Sequence, residues 1–98
     1  MIKHIVMWNI HEDLDLDATR ETLKEKLEAL LDRVDSLKEI SVGFNDNTSE
    51  AKRDIVLMTS FDDKAGLKAY IVHPAHVEVG QYVRAVTKDR VVVDYEYA

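Results

Sequence analysis

The stretch Ala69-Tyr70-Ile71-Val72-His73-Pro74-Ala75-His76-Val77 contains the only proline of the chain and two of its four histidines. Proline lacks an N–H and disfavours helical backbone in the residue before it, so the stretch predicts that one helix ends near His73. Proline also suits the first position of a helix, so a second helix is expected to begin at Pro74. The second half of the chain is therefore expected to contain a broken helix.

This junction also gives His76 a distinctive electrostatic setting. It falls in the first turn of the second helix, where unpaired N–H groups make the potential positive and disfavour a cation. A neutral imidazole is the form that serves as a general base or a metal ligand. The alternative is a proline-punctuated junction with two incidental imidazoles, and the residues alone favour that alternative.

Upstream of the junction, the segment from Ile2 to Ile10 has apolar residues at both odd and even positions, which is typical of a strand covered on both faces. Its even positions place His4, Val6 and Trp8 on one face, where they are candidates for lining an internal pocket. Apolar spacing of three and four predicts a long helix from about Ala18 to Leu37, with Asp17 as its N-cap. Further strands are predicted at 38–44, 54–61 and 90–97, and a short helix after Asp62 and Asp63.

The order strand, helix, strand, strand, broken helix, strand predicts one α+β domain over residues 1–98. Its compact form is a ferredoxin-like four-stranded antiparallel sheet with helices on one face. Two strands are nevertheless apolar on both faces, so the face without helices needs a cover. The economical cover is a second copy of the chain, and we expect a two-fold homodimer in which two open sheet faces close into a barrel.

Composition narrows the function classes. A net charge of −6 without a basic face argues against nucleic-acid binding. The absence of cysteine excludes disulfides, thiolate metal sites and cysteine nucleophiles. No apolar run approaches the roughly 20 residues that span a bilayer, and the N-terminus does not have the pattern of a signal peptide, so no membrane association and a cytoplasmic location are expected. Phosphate-loop, dinucleotide and serine-hydrolase motifs are missing, and no cofactor is predicted.

Several segments together resemble the stress-responsive α/β-barrel domain family, known as Dabb. They are Ile2-Lys3-His4-Ile5-Val6, Asp54-Ile55-Val56-Leu57, Tyr70 to Val77 and Val92-Val93-Asp94-Tyr95. The resemblance covers nearly the whole chain, and the paired histidines preceded by tyrosine are its most specific element. It implies a dimeric ferredoxin-like barrel.

One branch of that family, a plant polyketide cyclase, implies cofactor-free chemistry in a pocket between sheet and helices. The matching positions are His76 as general base and Tyr70 as its hydroxyl partner, with His4 nearby. An imidazole can remove a proton next to a carbonyl, and a phenol can stabilise the enolate. Trp8 and the leucines of the first helix predict a pocket that is small or filled.

Two hypotheses follow. The favoured one is a homodimer that binds a small apolar ligand through a pocket that includes His4, Val6, Trp8 and His73. The alternative is a cofactor-independent enzyme that acts on a carbonyl compound with His76 and Tyr70 as catalytic residues. A metal site made of His4, His73, His76 and Asp94 is disfavoured, because Pro74 breaks the helix between the two nearest histidines. Asp94 and Glu96 share one side of the last strand, where an exposed edge is favoured over a general acid–base pair.

Overall fold

The computed structural model describes residues 1–98, which form four β-strands and three α-helices. In chain order they are β1 (Ile2–Ile10), α1 (Leu16–Glu28), a 3₁₀ turn (Ala29–Asp32), β2 (Glu39–Phe44), β3 (Ile55–Phe61), α2 (Lys64–Val72), α3 (Pro74–Val86) and β4 (Thr87–Glu96). The predicted ferredoxin-like α+β fold is confirmed. None of the helices combines the length and the apolar content that crossing a membrane requires.

The sheet has the order β2-β3-β1-β4, and every neighbouring pair is antiparallel. β1 is therefore a central strand, and its even residues are buried from Ile2 to Ile10. His4 lies opposite Thr59 of β3 and Asp94 of β4. Because directly opposed residues point to the same face, all three face the helices.

The helix starts are fixed by side-chain caps. Asp15, and not the predicted Asp17, is the N-cap of α1 and accepts the backbone N–H of Ala18 at 2.9 Å. Asp63 caps α2 in the same way by accepting the N–H of Gly66 at 2.8 Å. The break between α2 and α3 lies where the proline predicts it, with His73 as the N-cap and Pro74 in the first turn.

Two predicted boundaries are wrong. The helix expected over 18–37 ends at Glu28, continues as the 3₁₀ turn and then leaves helical geometry. Leu30, Val34 and Leu37 are all buried, so the apolar spacing reflects core packing and not a continuous helix. β4 begins at Thr87 and not at Arg90, directly after α3.

The sheet presents a second apolar surface on the face away from the helices. We call the outward side chains of β1, β3 and β4 the open face; its apolar members are Ile5, Met7, Val56, Met58, Val91, Val93 and Tyr95. Val93 is 61% exposed in the single chain. The prediction that β1 and β3 carry apolar residues on both faces is thus correct.

Candidate functional site

A cavity of about 230 Å³ lies between the sheet and the helices. β1 contributes His4, Val6 and Trp8; the other lining residues are Leu27, Leu57, Tyr70, His76, Val79, Gly80, Val83, Arg84 and Arg90. Five of the six predicted site residues therefore meet at one cavity: His4, Val6, Trp8, Tyr70 and His76. His73 does not line it.

The contribution of α3 follows from its start at Pro74. Val79 and Gly80 follow His76 by three and four residues. Val83 and Arg84 follow Gly80 by three and four, so all five form one stripe along the helix. That stripe is the side of α3 that lines the cavity. Because Pro74 fixes where α3 begins, it also determines which side of α3 faces the cavity, and His76 lies on that side.

His76 is held as a neutral imidazole with a defined tautomer. Its Nδ1 lies 3.0 Å from the carbonyl oxygen of Ile71, and because a carbonyl only accepts, Nδ1 carries the proton and donates it. Burial lowers the pKa of His76, and the Ile71 hydrogen bond opposes this effect; electrostatic interactions with His4, Arg84 and Arg90 lower the pKa further. Nε2 consequently keeps its lone pair and makes no hydrogen bond within the chain.

Tyr70 is the most deeply buried polar side chain of the site. Its ring centroid is 4.4 Å from that of His76 and 6.5 Å from that of His4. The hydroxyl is buried and has no hydrogen-bond partner. Burial raises the pKa of Tyr70 to about 12, so the phenol stays protonated and remains a donor at neutral pH.

His4 is oriented by a carboxylate on the neighbouring strand. Its Nδ1 is hydrogen-bonded to Oδ1 of Asp94, the residue directly opposite it on β4. His4 is 6% exposed, whereas the Asp94 side chain is 46% exposed, so the pair runs from the cavity wall to the edge of the sheet. Nδ1 is occupied, and Nε2 is the nitrogen left for the cavity.

His73 has a structural contact in place of the predicted pocket contact. Its Nδ1 accepts the backbone N–H of Ala75 at 3.0 Å. An accepting Nδ1 requires the proton to be on Nε2, which is the opposite tautomer to that of His76. The side chain at the junction therefore caps α3.

Among the lining residues that the sequence interpretation did not name, Arg84 and Arg90 are the two that carry a charge. The signal for Arg84 was present in its spacing, eight residues after His76 and therefore on the same stripe of α3. Arg90 lay at the predicted start of a strand, and its orientation depended on the register between β1 and β4.

The disfavoured alternatives gain no support from the geometry. No three histidine or carboxylate side chains lie close enough to hold a metal ion. Asp94 is bonded to His4, while Glu96 lies 3.6 Å from Lys64, so these two carboxylates have separate partners. A more open hollow of about 370 Å³ beside Met7 and the 45–53 loop contains no histidine or tyrosine.

Comparisons with known proteins place this geometry in context. The sequence profile described as the stress responsive A/B barrel domain matches residues 2–97. The uncharacterized protein SCO4036 of Streptomyces coelicolor is 26% identical over 98 residues, which cover 99% of this chain and 100% of that protein.

Solved structures agree on the architecture. A dimeric protein of unknown function and ferredoxin-like fold from Bacteroides fragilis is 30% identical, with a TM-score of 0.83 over 98% of this chain and 95% of its own. The hydroxynitrile lyase of Passiflora edulis is 16% identical, with a TM-score of 0.87 over 99% of this chain and 93% of its own. At 16% identity, the likeness to the hydroxynitrile lyase concerns the fold alone.

Proposed function

The chain belongs to the stress responsive A/B barrel domain family, and from that premise we propose that it is a homodimer whose cavity binds a small, mostly apolar carbonyl compound. The observation that carries the proposal is the Tyr70 side chain, which lines the cavity and whose buried hydroxyl has no hydrogen-bond partner. An unpaired buried donor costs about 1–3 kcal/mol, and a carbonyl oxygen of a ligand would remove that cost.

The size and lining of the cavity support a compact ligand. An apolar cavity of about 150 Å³ holds benzene in another protein, so about 230 Å³ suits a molecule somewhat larger than benzene. Val6, Trp8, Leu57, Val79 and Val83 supply apolar walls, which favour an apolar body.

The homodimer is supported by the open face and by the dimeric state of related structures. The Bacteroides protein and a Thermobifida fusca protein of the same fold are both described as dimeric. A second copy would cover Met7, Val91, Val93 and Tyr95, each of which is substantially exposed in the single chain.

Acetophenone tests the binding proposal, and ethylbenzene is its matched probe without a carbonyl. Trp8 is the only tryptophan and lines the cavity, so its indole N–H signal reports binding by NMR. We expect acetophenone to bind more tightly than ethylbenzene by roughly two- to tenfold, the value of one neutral hydrogen bond. The Tyr70→Phe variant should lose that difference. Equal affinities in the unmodified protein, or no saturable change at Trp8, would contradict the proposal.

A second candidate function is proton abstraction next to the bound carbonyl. It is favoured by the Nδ1–H bond of His76 to Ile71, which leaves Nε2 as an unprotonated base near Tyr70. In this step the C–H electron pair moves into the enolate, the proton passes to Nε2 of His76, and the Tyr70 hydroxyl donates to the enolate oxygen.

Deuterium exchange distinguishes the enzyme from the binding protein. In D₂O, His76 would return a deuteron to the methyl carbon of acetophenone, and proton NMR would record the loss of the methyl signal. We expect His76→Gln to slow the protein-dependent exchange at least about a hundredfold. His11→Gln, a histidine outside the cavity, is the control. If acetophenone binds but the protein does not accelerate exchange of its methyl protons, the protein binds the ketone without abstracting a proton from it.

A further inference from the structure

Two guanidinium groups line the same cavity as the histidines. Arg84 comes from the last turn of α3 and Arg90 from β4, and both residues are exposed while also contacting the cavity. An exposed residue that also lines a cavity lies at its opening. The cavity therefore has an apolar interior and a positively charged mouth.

Neither guanidinium has a partner within the chain. The ion pairs of arginine are those of Arg20 with Asp17 and of Arg33 with Glu78. The carboxylates of β4 have other partners: Asp89 accepts from Asn9, Asp94 is bonded to His4, and Glu96 lies near Lys64. Although the chain has 19 acidic and 13 basic residues, both guanidinium groups at this opening remain available to an external anion.

Gly80 gives Arg84 its position. A Cβ atom at Gly80 would lie 3.3 Å from Nη1 of Arg84, so the guanidinium extends back along α3 across the glycine. This direction is the one that helical side chains take, towards the N-terminal end of the helix. It points the charge along the stripe that carries His76.

We propose that the natural ligand of this cavity is a small keto or aldehyde acid, whose carboxylate is held at the mouth by Arg84 and Arg90. The inference rests on the proposed function, since Tyr70 and His76 would take the carbonyl end. Guanidinium groups match a carboxylate with paired hydrogen bonds and are less strongly hydrated than ammonium groups, so they suit a partly buried anion. The apolar body would lie between the two ends, against Trp8 and Val79.

The test compares two ketones that differ in one substituent, 4-acetylbenzoate and the uncharged 4-methylacetophenone. Affinity is measured through the Trp8 indole signal, which needs no turnover. We expect 4-acetylbenzoate to bind about tenfold more tightly at low ionic strength and to lose most of that advantage at high salt. Arg84→Gln and Arg90→Gln should each reduce the preference, and the double variant should abolish it.

Arg33→Gln is the matched control, because it removes the same charge from an exposed arginine outside the cavity. Arg84→Lys tests the geometry, since it keeps the charge but not the paired hydrogen bonds, and an intermediate preference is expected. Unfolding midpoints of all variants would establish that they are folded.

Three outcomes would overturn the inference: equal binding of the two ketones, a preference for the acid that survives in the double variant, or no binding of the acid. Failure of the inference is distinguishable from failure of the proposed function. If acetophenone binds through Tyr70 while the acid gains nothing, the carbonyl site stands and the anion site is wrong. If acetophenone and ethylbenzene bind equally, the carbonyl site itself is wrong.

Discussion

The Tyr70 hydroxyl is expected to favour ligand binding while lowering the stability of the empty protein. Its burial without a partner costs free energy in the empty protein, so Tyr70→Phe is expected to raise the free energy of unfolding by about 1 kcal/mol. The same change should weaken acetophenone binding. Urea unfolding measures the first effect, and Tyr82→Phe, outside the cavity lining on α3, is the control. A destabilised Tyr70→Phe would show that the hydroxyl has a partner in the folded protein.

His76 gives the protein a specific dependence of stability on pH. Burial lowers its pKa in the folded state below the ordinary 6.5, so the unfolded chain binds the proton more readily. The contribution of His76 is therefore fully present above pH about 6.5 and is lost as the pH falls towards the lowered pKa. We expect the stability of the parent protein to fall more than that of His76→Gln over this interval. Parallel pH profiles in urea unfolding would contradict this assignment.

At the level of single residues, the sequence predicted which side chains share the cavity better than it predicted their contacts. His4, Val6 and Trp8 were grouped by strand alternation, the helix break singled out His76, and Tyr70 came only from the family resemblance; all five line the cavity. The Asp94 partner of His4 depends on the register of β1 against β4, which no local pattern reveals. His73 was a predicted pocket residue at the helix junction; in the structure it caps α3 and does not line the cavity.

At the level of elements, the α2–α3 junction depends on the cap that His73 provides. Its Nδ1 accepts the N–H of Ala75, so His73→Ala is expected to cost about 1 kcal/mol of stability, and His73→Asp should restore it. Urea unfolding with His11→Ala as the control measures the difference. If His73 also contacted ligand, His73→Asp would restore stability without restoring acetophenone binding.

The errors in element boundaries have a common physical origin. Leu30, Val34 and Leu37 continue the apolar spacing of α1, because the 3₁₀ turn and the following turns pack on the same core. Apolar residues three or four positions apart are compatible with an α-helix and with these turns, so their spacing does not distinguish the two. No glycine or proline separates α3 from β4 either, so the change at Thr87 is imposed by pairing with β1, where Thr87 lies opposite Ile10.

At the level of the whole molecule, the open face is expected to be the dimer interface. Val93 lies on it opposite Ile5, and Val93→Lys would place a charge in an apolar interface. Removing a charge from water without a partner costs several kcal/mol, so this variant is expected to be monomeric where the parent is dimeric. Val72→Lys is the control, because Val72 is 66% exposed on α2. A Val93→Lys dimer in sedimentation velocity would show that another surface joins the two copies.

The fold was the property of this protein that the sequence predicted best. The order of elements allows few compact topologies, and apolar residues on both faces of β1 and β3 require two covers. The helices supply one cover within the chain. The sequence predicted a small or filled pocket, and which of the two is realised depends on how Trp8, Leu27 and Tyr70 pack against one another; a cavity of about 230 Å³ remains.

We expect His76 to present an unprotonated Nε2 to a ligand-accepting cavity, and nitrogen-15 NMR of the four histidine rings would detect it. At neutral pH we predict the Nδ1–H tautomer for His76 and the Nε2–H tautomer for His73, from their contacts with Ile71 and Ala75. Addition of acetophenone should shift the Nε2 resonance of His76 and leave the ring of His11 unchanged. An Nε2–H or imidazolium pattern for His76, or no response to acetophenone, would show that His76 does not offer a free Nε2 to a ligand in the cavity.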